Sequence, residues 1–142
     1  MRELNSVKLE FPAKSNNESF ARSAVACFAA QLDPTVDELG DLKAAVSEAV
    51  TNAVVHGYPE KMGKICVRCR ILKENVLEVL VKDWGRGIEN IELARTPAYT
   101  TGGSDRSGMG FTIMESFTDS VKIRSKPGKG TAVLMRKKLG CR

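Results

Sequence analysis

Aromatic residues make up only 6% of this 142-residue chain, with a single Trp and a single His. Rings this sparse, and not interleaved with basic residues, cannot form the stacking platform of a single-strand nucleic-acid binder. The four cysteines, Cys27, Cys66, Cys69 and Cys141, are too few for a disulfide scaffold, and with one distant His they offer no paired ligand set for structural zinc. Cys66 and Cys69 fall in an apparent strand, where residues three apart point to opposite faces, so both are expected to be idle reduced thiols. No run approaches the ~20 apolar residues of a membrane helix, and the N-terminal MRELNSVKLEF lacks a signal-peptide core. A cytoplasmic protein without membrane contact is the expectation. Repeats, low-complexity tracts and Pro/Gly/Ser linkers are also missing, so residues 1–142 are expected to form one domain.

What is present is an ordinary globular composition, 42% hydrophobic and 27% charged. Its 22 Lys and Arg against 17 Asp and Glu leave a formal charge of +5. Apart from Arg136-Lys137-Lys138 the basic residues do not cluster, and no helix-turn-helix pattern occurs. Direct nucleic-acid binding is therefore not expected, and a mild field that attracts an acidic partner or a phosphate ligand is.

Periodicity orders the chain. Val7 to Phe11 alternates as a half-buried strand. A helix begins at Ser15 or Asn16, continues through Phe20, Ala24, Cys27, Phe28 and Leu32, and stops at Asp33-Pro34. Thr35 and Glu38 have capping-box spacing before a second helix, whose Leu39, Leu42, Val46, Ala49, Val50, Ala53 and Val54 form one apolar stripe. His56-Gly57-Tyr58-Pro59 ends it, and at a helix C-terminus His56 reads as structural. Ile65 to Leu72 and Val76 to Lys82 read as a hairpin around Lys73-Glu74-Asn75. A Gly-rich stretch from Asp83 to Gly110 follows, with a short helix possible at 88–94. Phe111 to Phe117 reads as a short helix, and Ser120 to Ser125 with Thr131 to Lys138 as a second strand pair. The order predicts a two-layer α/β sandwich: a mixed, mainly antiparallel sheet with helices on one face.

Three segments could carry chemistry. Glu48 and Asn52, four apart on the second helix, offer a carboxylate and an amide oxygen to one small volume. That pair suits a general base beside Mg²⁺, although a solvated helix face would look the same. Asp83-Trp84-Gly85-Arg86-Gly87 follows a strand; its carboxylate can accept from a base amine where backbone without Cβ lets a ring approach, and a plain turn is the alternative. Thr100 to Phe111 is glycine-rich and leads into a helix, which makes an anion site or a surface loop.

Taken in order, E-x-x-x-N, D-x-G-x-G, S-G-M-G-F and G-K-G-T resemble the N, G1, G2 and G3 boxes of the GHKL ATPase superfamily, over residues 7 to 138. Asn17 to Arg22, Gln31 to Thr35, Val46 to Ala53 and Arg106 to Glu115 are similar to the short anti-sigma F family of endospore-forming bacteria. The resemblance implies a Bergerat ATP-binding fold, ATP with Mg²⁺, and a homodimer that inhibits sigma factor F. It also implies a serine kinase that inactivates its anti-anti-sigma factor. By resemblance, Glu48 is the general base, Asn52 holds Mg²⁺ and Asp83 binds the adenine amine, with Gly85 and Gly87 making room for the ring. Thr100 and Thr101 open a lid; Ser107, Gly108, Met109 and Gly110 surround the phosphates, with amides from the two glycines. Arg106 meets the γ-phosphate, Thr131 supports the adenine end, and Arg22 contacts protein partners. A stress-response switch kinase, an anti-sigma B paralogue and a binding-only anti-sigma module stay open beside this reading.

Overall fold

The computed structural model describes residues 3–58, 62–88 and 106–140, with backbone alone for 106–110. The elements are β1 (Glu3–Pro12), α1 (Asn16–Ala29), a 3₁₀ turn (Ala30–Leu32), α2 (Val36–Asn52), a π-helical turn (Ala53–Gly57), β2 (Lys64–Leu72) and β3 (Val76–Asp83). After them come α3 (Arg106–Phe117), β4 (Ser120–Lys126) and β5 (Gly130–Lys138). The strands form one sheet in the order β1-β2-β3-β5-β4.

Every pairing in that sheet is antiparallel, so the mixed character expected from the sequence is absent among the described residues. The cause is topological. The chain leaves β3, passes through α3 to the far edge, and β5 then returns by hairpin into the slot between β3 and β4. Each neighbour therefore runs opposite to the last.

The second helix starts as its sequence dictates: the Thr35 hydroxyl accepts from the Glu38 N–H at 3.0 Å, and the Glu38 carboxylate accepts from the Thr35 N–H at 2.8 Å. The helix buries Leu42, Val46, Ala49 and Val50 against the sheet. From α1 come Ala21, Val25 and Ala29, from α3 Phe111 and Met114, and from the sheet Val67, Val79, Val81, Val133 and Met135. The inward-facing strand residues alternate with outward ones, the pattern of a sheet with one covered face. Glu74 (φ 66°) and Asn75 (φ 61°) both take left-handed backbone in the β2–β3 turn, which matches the twist of an antiparallel ribbon.

The other face of the sheet is polar, and Glu78 anchors it. Arg70 Nη2 lies 2.6 Å from Glu78 Oε1, Arg136 Nη2 lies 2.8 Å from Oε2, and Arg68 Nη2 approaches to 3.7 Å. The three side chains roof the carboxylate, which is buried. Burial pushes the Glu78 pKa up, but the hydrogen bonds and charges of Arg136 and Arg70 outweigh it and hold the group below its usual value. A depressed acid stabilises the fold above its unfolded pKa of about 4.3, and that stability is lost as pH falls through the folded value. Glu78→Gln leaves three guanidinium groups facing one another. It is expected to cost about 2–3 kcal/mol at pH 7, the lower end for a broken pair because these arginines are part-exposed. The cost should shrink at pH 4, and urea unfolding at the two pH values measures it.

Candidate functional site

The C-terminal half of α2 and the end of β3 meet through the π turn. A helix that continued as α past Asn52 would place Gly57 elsewhere; the wider π turn sets its Cα against Asp83. A Cβ on Gly57 would sit 3.0 Å from the Asp83 carboxyl carbon, so a side chain there would press on the carboxylate and shift it. The Gly57 carbonyl accepts from the Arg86 N–H at 2.9 Å, and a Cβ on Gly85 would collide with that carbonyl. One backbone joint thus ties the helix bearing Glu48 and Asn52 to the strand bearing Asp83.

Asp83 faces the covered side of the sheet, paired with Ile65 on β2 and Thr131 on β5, and is buried. Its Oδ1 accepts from the Gly85 N–H at 2.9 Å. Burial pushes the Asp83 carboxyl up, and the backbone N–H groups of Gly85 and Thr131 pull it part of the way back. Ser125 holds the neighbouring hairpin: its hydroxyl accepts from the Ile88 N–H at 2.7 Å, donates to the Gly130 carbonyl at 2.9 Å and lies 2.9 Å from the Thr131 hydroxyl. Gly87, at φ 78°, packs where a side chain would strike the Lys126 carbonyl. Backbone packing alone therefore demands glycine at both 85 and 87.

Trp84 takes the opposite face from Asp83. The residue is 44% exposed, and its ring lies under Lys64 Nζ at 4.8 Å and Lys82 Nζ at 5.1 Å. The Trp84 N–H donates to the Tyr58 hydroxyl at 2.7 Å, which donates to the Lys64 carbonyl at 2.8 Å.

Glu48 and Asn52 do not lie on a solvated face as the helical projection suggested. Both are half-buried, and Ile113 and Phe117 of α3 lie beside Glu48. Asn52 Nδ2 is buried and has no hydrogen-bond partner among the described residues. A buried donor left unpaired costs about 1–3 kcal/mol, so this nitrogen's position calls for a partner such as water, a ligand or an ion. A half-turn of the amide presents its oxygen at that position instead, which suits a hard cation. Among the described residues no cluster of three His, Cys, Asp or Glu could cage a metal. A single amide is nonetheless the kind of protein ligand Mg²⁺ takes when phosphate oxygens and water complete its shell. The residues fit that ion.

On the outer side of the same helix, α1, α2 and α3 enclose an open cleft of about 540 Å³, lined by Arg22, Ser23, Lys43, Ser47, Glu48 and Phe117 among others. Arg22 is held by Glu18, with Nε 3.6 Å from Oε2, and by the Ser19 hydroxyl at 3.3 Å. Glu48 and Arg22 thus share one cleft.

The glycine-rich segment is helical earlier than the sequence suggested. The third helix begins at Arg106 rather than Phe111, because burial of Phe111 and Met114 overrides the helix penalty of Gly108 and Gly110. Arg106, Ser107, Gly108 and Met109 form its first turn, where amides lack intrahelical partners; Gly110 lies in the second. Thr100, Thr101, Cys141 and the short helix expected at 88–94, beyond Ile88, lie outside the described residues. His56 sits in the π turn, its pKa lowered by burial and by the Arg86 charge, so it is neutral at pH 7. Cys66 and Cys69 are buried on opposite faces, and burial pushes the Cys69 thiol up to about 12. Such a thiol is inert. Gly57, Tyr58 and Ser125 complete the site's frame; in the sequence the first two stood out only as the end of a helix and the third only as the end of a strand. No helix among the described residues is long and apolar enough to cross a membrane.

Residues 11–137 match the histidine kinase-like ATPase domain family. The chain is 54% identical over 135 residues to a protein of Clostridium acetobutylicum named anti-sigma F factor, covering 94% of each chain. It is 52% identical over 137 residues to one of the same name from Caldanaerobacter subterraneus, covering 96% of this chain and 95% of the other. Among solved structures, the RsbU and RsbW domains of a Mycobacterium tuberculosis protein superpose with a TM-score of 0.70 at 21% identity, over 95% of this chain and 32% of that one. The mycobacterial sensor histidine kinase MprB superposes with a TM-score of 0.61 at 16% identity, over 96% and 100% of the two chains. These last two speak for the fold. By sequence over nearly its whole length, and by an α/β sandwich in the same arrangement, the chain belongs to the anti-sigma F factor family of histidine kinase-like ATPases.

Proposed function

We propose that this protein is an ATP-dependent serine kinase that also binds and inhibits the sporulation sigma factor F, and that its kinase substrate is the anti-anti-sigma factor. The observation that supports this most is the pairing of Glu48, which lines the cleft, with Asn52 one turn further along the helix, whose buried Nδ2 has no partner among the described residues. In this reading Asp83 accepts from the adenine amine beside Gly85 and Gly87, with Thr131 behind it. The first turn of α3 (Arg106, Ser107, Gly108 and Met109) and Gly110 surround the phosphates, Arg106 meets the γ-phosphate, and Thr100 and Thr101 open the lid. Asn52 would hold Mg²⁺, which supplies charge neutralisation to the phosphates when bound.

The chemistry is phosphoryl transfer. Glu48 takes the proton of the substrate serine hydroxyl, the serine oxygen bonds to the γ-phosphorus, and the bond from that phosphorus to the β–γ bridging oxygen breaks to release ADP. Positioning and charge neutralisation carry the rate. Arg22 in the same cleft contacts the protein partners, and the working form is a homodimer in the cytoplasm.

Transcription by RNA polymerase charged with sigma F tests the inhibitory half. Addition of the protein with ATP should suppress it, and Arg22→Glu should weaken suppression about tenfold or more, the scale of a lost charge-assisted contact. Full transcription at saturating protein would remove the anti-sigma role and leave a switch kinase. Suppression without phosphate transfer would leave a binding-only module.

A further inference from the structure

The helices cover one face of the sheet, and the open face has a lopsided charge. Alternation along the strands sends Lys8, Lys64, Arg68, Arg70 and Arg136 to it, beside Glu3, Glu10 and Glu78. Those five cations already share the three acids. Lys8 and Lys64 flank Glu10 at 3.9 and 3.4 Å, the three arginines surround Glu78, and Arg70 also meets Glu3 at 3.8 Å. Lys82 on β3, Lys138 on β5, and Lys122, Arg124 and Lys126 on β4 lie on the same face and are exposed. None of these five has an acidic partner among the described residues. Ten basic residues against three acidic is an excess of seven on one face, where the whole chain has an excess of five. In the sequence they look scattered, because they occupy alternate positions of separate strands; pairing gathers them.

The register sets the unpaired cations in rows. Lys122 lies across from Leu134 and then Leu80, and Arg124 across from Ala132 and then Lys82. Lys122, Arg124 and Lys126 follow one another at about 6.8 Å, two strand residues, and five strands make the face about 19 Å across. Charge thus runs through the centre of the face, whereas a protein–protein interface depletes charge from its core. Trp84 is the one ring that the described strands and their ends place there, too little to stack a single nucleic-acid strand. The face is wider than the major groove of about 12 Å, so it cannot enter to read base edges. Its described central residues include no side-chain hydroxyl or amide to meet a 2′-hydroxyl, the group that marks RNA.

We propose that this open face binds the phosphate backbone of double-stranded DNA without sequence preference. It lies on the other side of the sheet from α1, α2, α3 and their cleft, so the inference goes beyond the kinase and sigma-binding reading and depends on neither. Duplex DNA carries one charge per about 1.7 Å of axis, so a span of about 19 Å presents about eleven phosphates, roughly half of them toward the sheet. The five unpaired cations match that number, and release of the counterions they replace supplies the affinity.

Fluorescence polarisation of a labelled 20-base-pair duplex of arbitrary sequence, titrated with the full chain between roughly 50 and 200 mM NaCl, tests this. Five phosphate contacts give log K against log salt a slope of about −4.5, a loss of about 500-fold over that range. A chain carrying Lys82→Gln, Lys122→Gln and Arg124→Gln together should lower the steepness by about three and bind at least about 100-fold more weakly at low salt. All three side chains are exposed, so this variant should fold. Lys43→Gln, on the helical layer and beyond screening distance, should leave affinity within about twofold. Polyglutamate of about 40 residues, equal in charge to the duplex, should bind at least about tenfold more weakly, because its extended backbone spaces charge at about 3.4 Å. No binding at low salt, or binding that the triple variant leaves unchanged, would overturn the proposal. Polyglutamate bound as tightly as the duplex would overturn it in favour of an acidic protein partner, and tighter binding of duplex RNA would overturn the choice of DNA.

Discussion

Glu48→Gln is expected to slow phosphate transfer to the partner serine by about 10²–10⁴-fold, the usual contribution of a positioned general base, while ATP affinity stays within about threefold. The substitution keeps the side chain's shape and hydrogen-bonding oxygen and removes its basicity. Glu48 sits half-buried against the cleft, one turn before the amide at Asn52, so the variant changes the reacting end and leaves the helix intact. The split between transfer and affinity is what identifies a base. A residue that merely held the fold would lower both together, and one that bound the phosphates would lower affinity first. Single-turnover transfer from labelled ATP, with equilibrium titration of the nucleotide, gives the two numbers.

Asp83→Asn is expected to weaken nucleotide binding by about 10- to 100-fold, since a hydrogen bond to a charged acceptor contributes about 1.5–3 kcal/mol. The stability of the ligand-free protein should hold or rise. Burial raises the Asp83 pKa, so the ionised carboxylate opposes folding: stability is highest below its unfolded pKa of about 3.9 and is lost as pH rises through the folded value. Asparagine removes that penalty and can still accept from the Gly85 N–H. Affinity and stability moving in opposite directions mark a residue held in place for a ligand. Thermal unfolding without nucleotide and calorimetric titration with it measure the pair. If both fall together, Asp83 is a structural carboxylate only.

Much of the architecture was legible in local pattern. Alternation found the strands, and the stripe from Leu39 to Val54 with the Thr35–Glu38 box found α2, because each signal is written within one or two turns of chain. Other features have no local signature. The π turn depends on Gly57 meeting Asp83, 26 residues away, and the Ser125 hydroxyl reaches Ile88 across 37 residues. At the start of α3, local propensity pointed the wrong way: two glycines argued for a loop, and packing of Phe111 and Met114 decided for helix. In the site, Glu48, Asn52 and Asp83 stood out by type and spacing. That the Asn52 side chain is half-buried, with its Nδ2 enclosed, follows only from how the folded chain packs around the end of α2. The sequence also could not show that Gly85 and Gly87 are glycine because carbonyls of Gly57 and Lys126 occupy the space of a side chain.

The central claim is that the carboxylate–amide pair on α2 serves transfer to a serine of another protein. Incubation of the wild-type protein with labelled ATP, Mg²⁺ and the anti-anti-sigma factor, with the phosphorylated residue located by mass spectrometry, tests it most directly. Phosphoserine on the anti-anti-sigma factor, lost with Glu48→Gln, is the expected result. Phosphate retained on this chain at His56, or none transferred while ATP is bound, would contradict it.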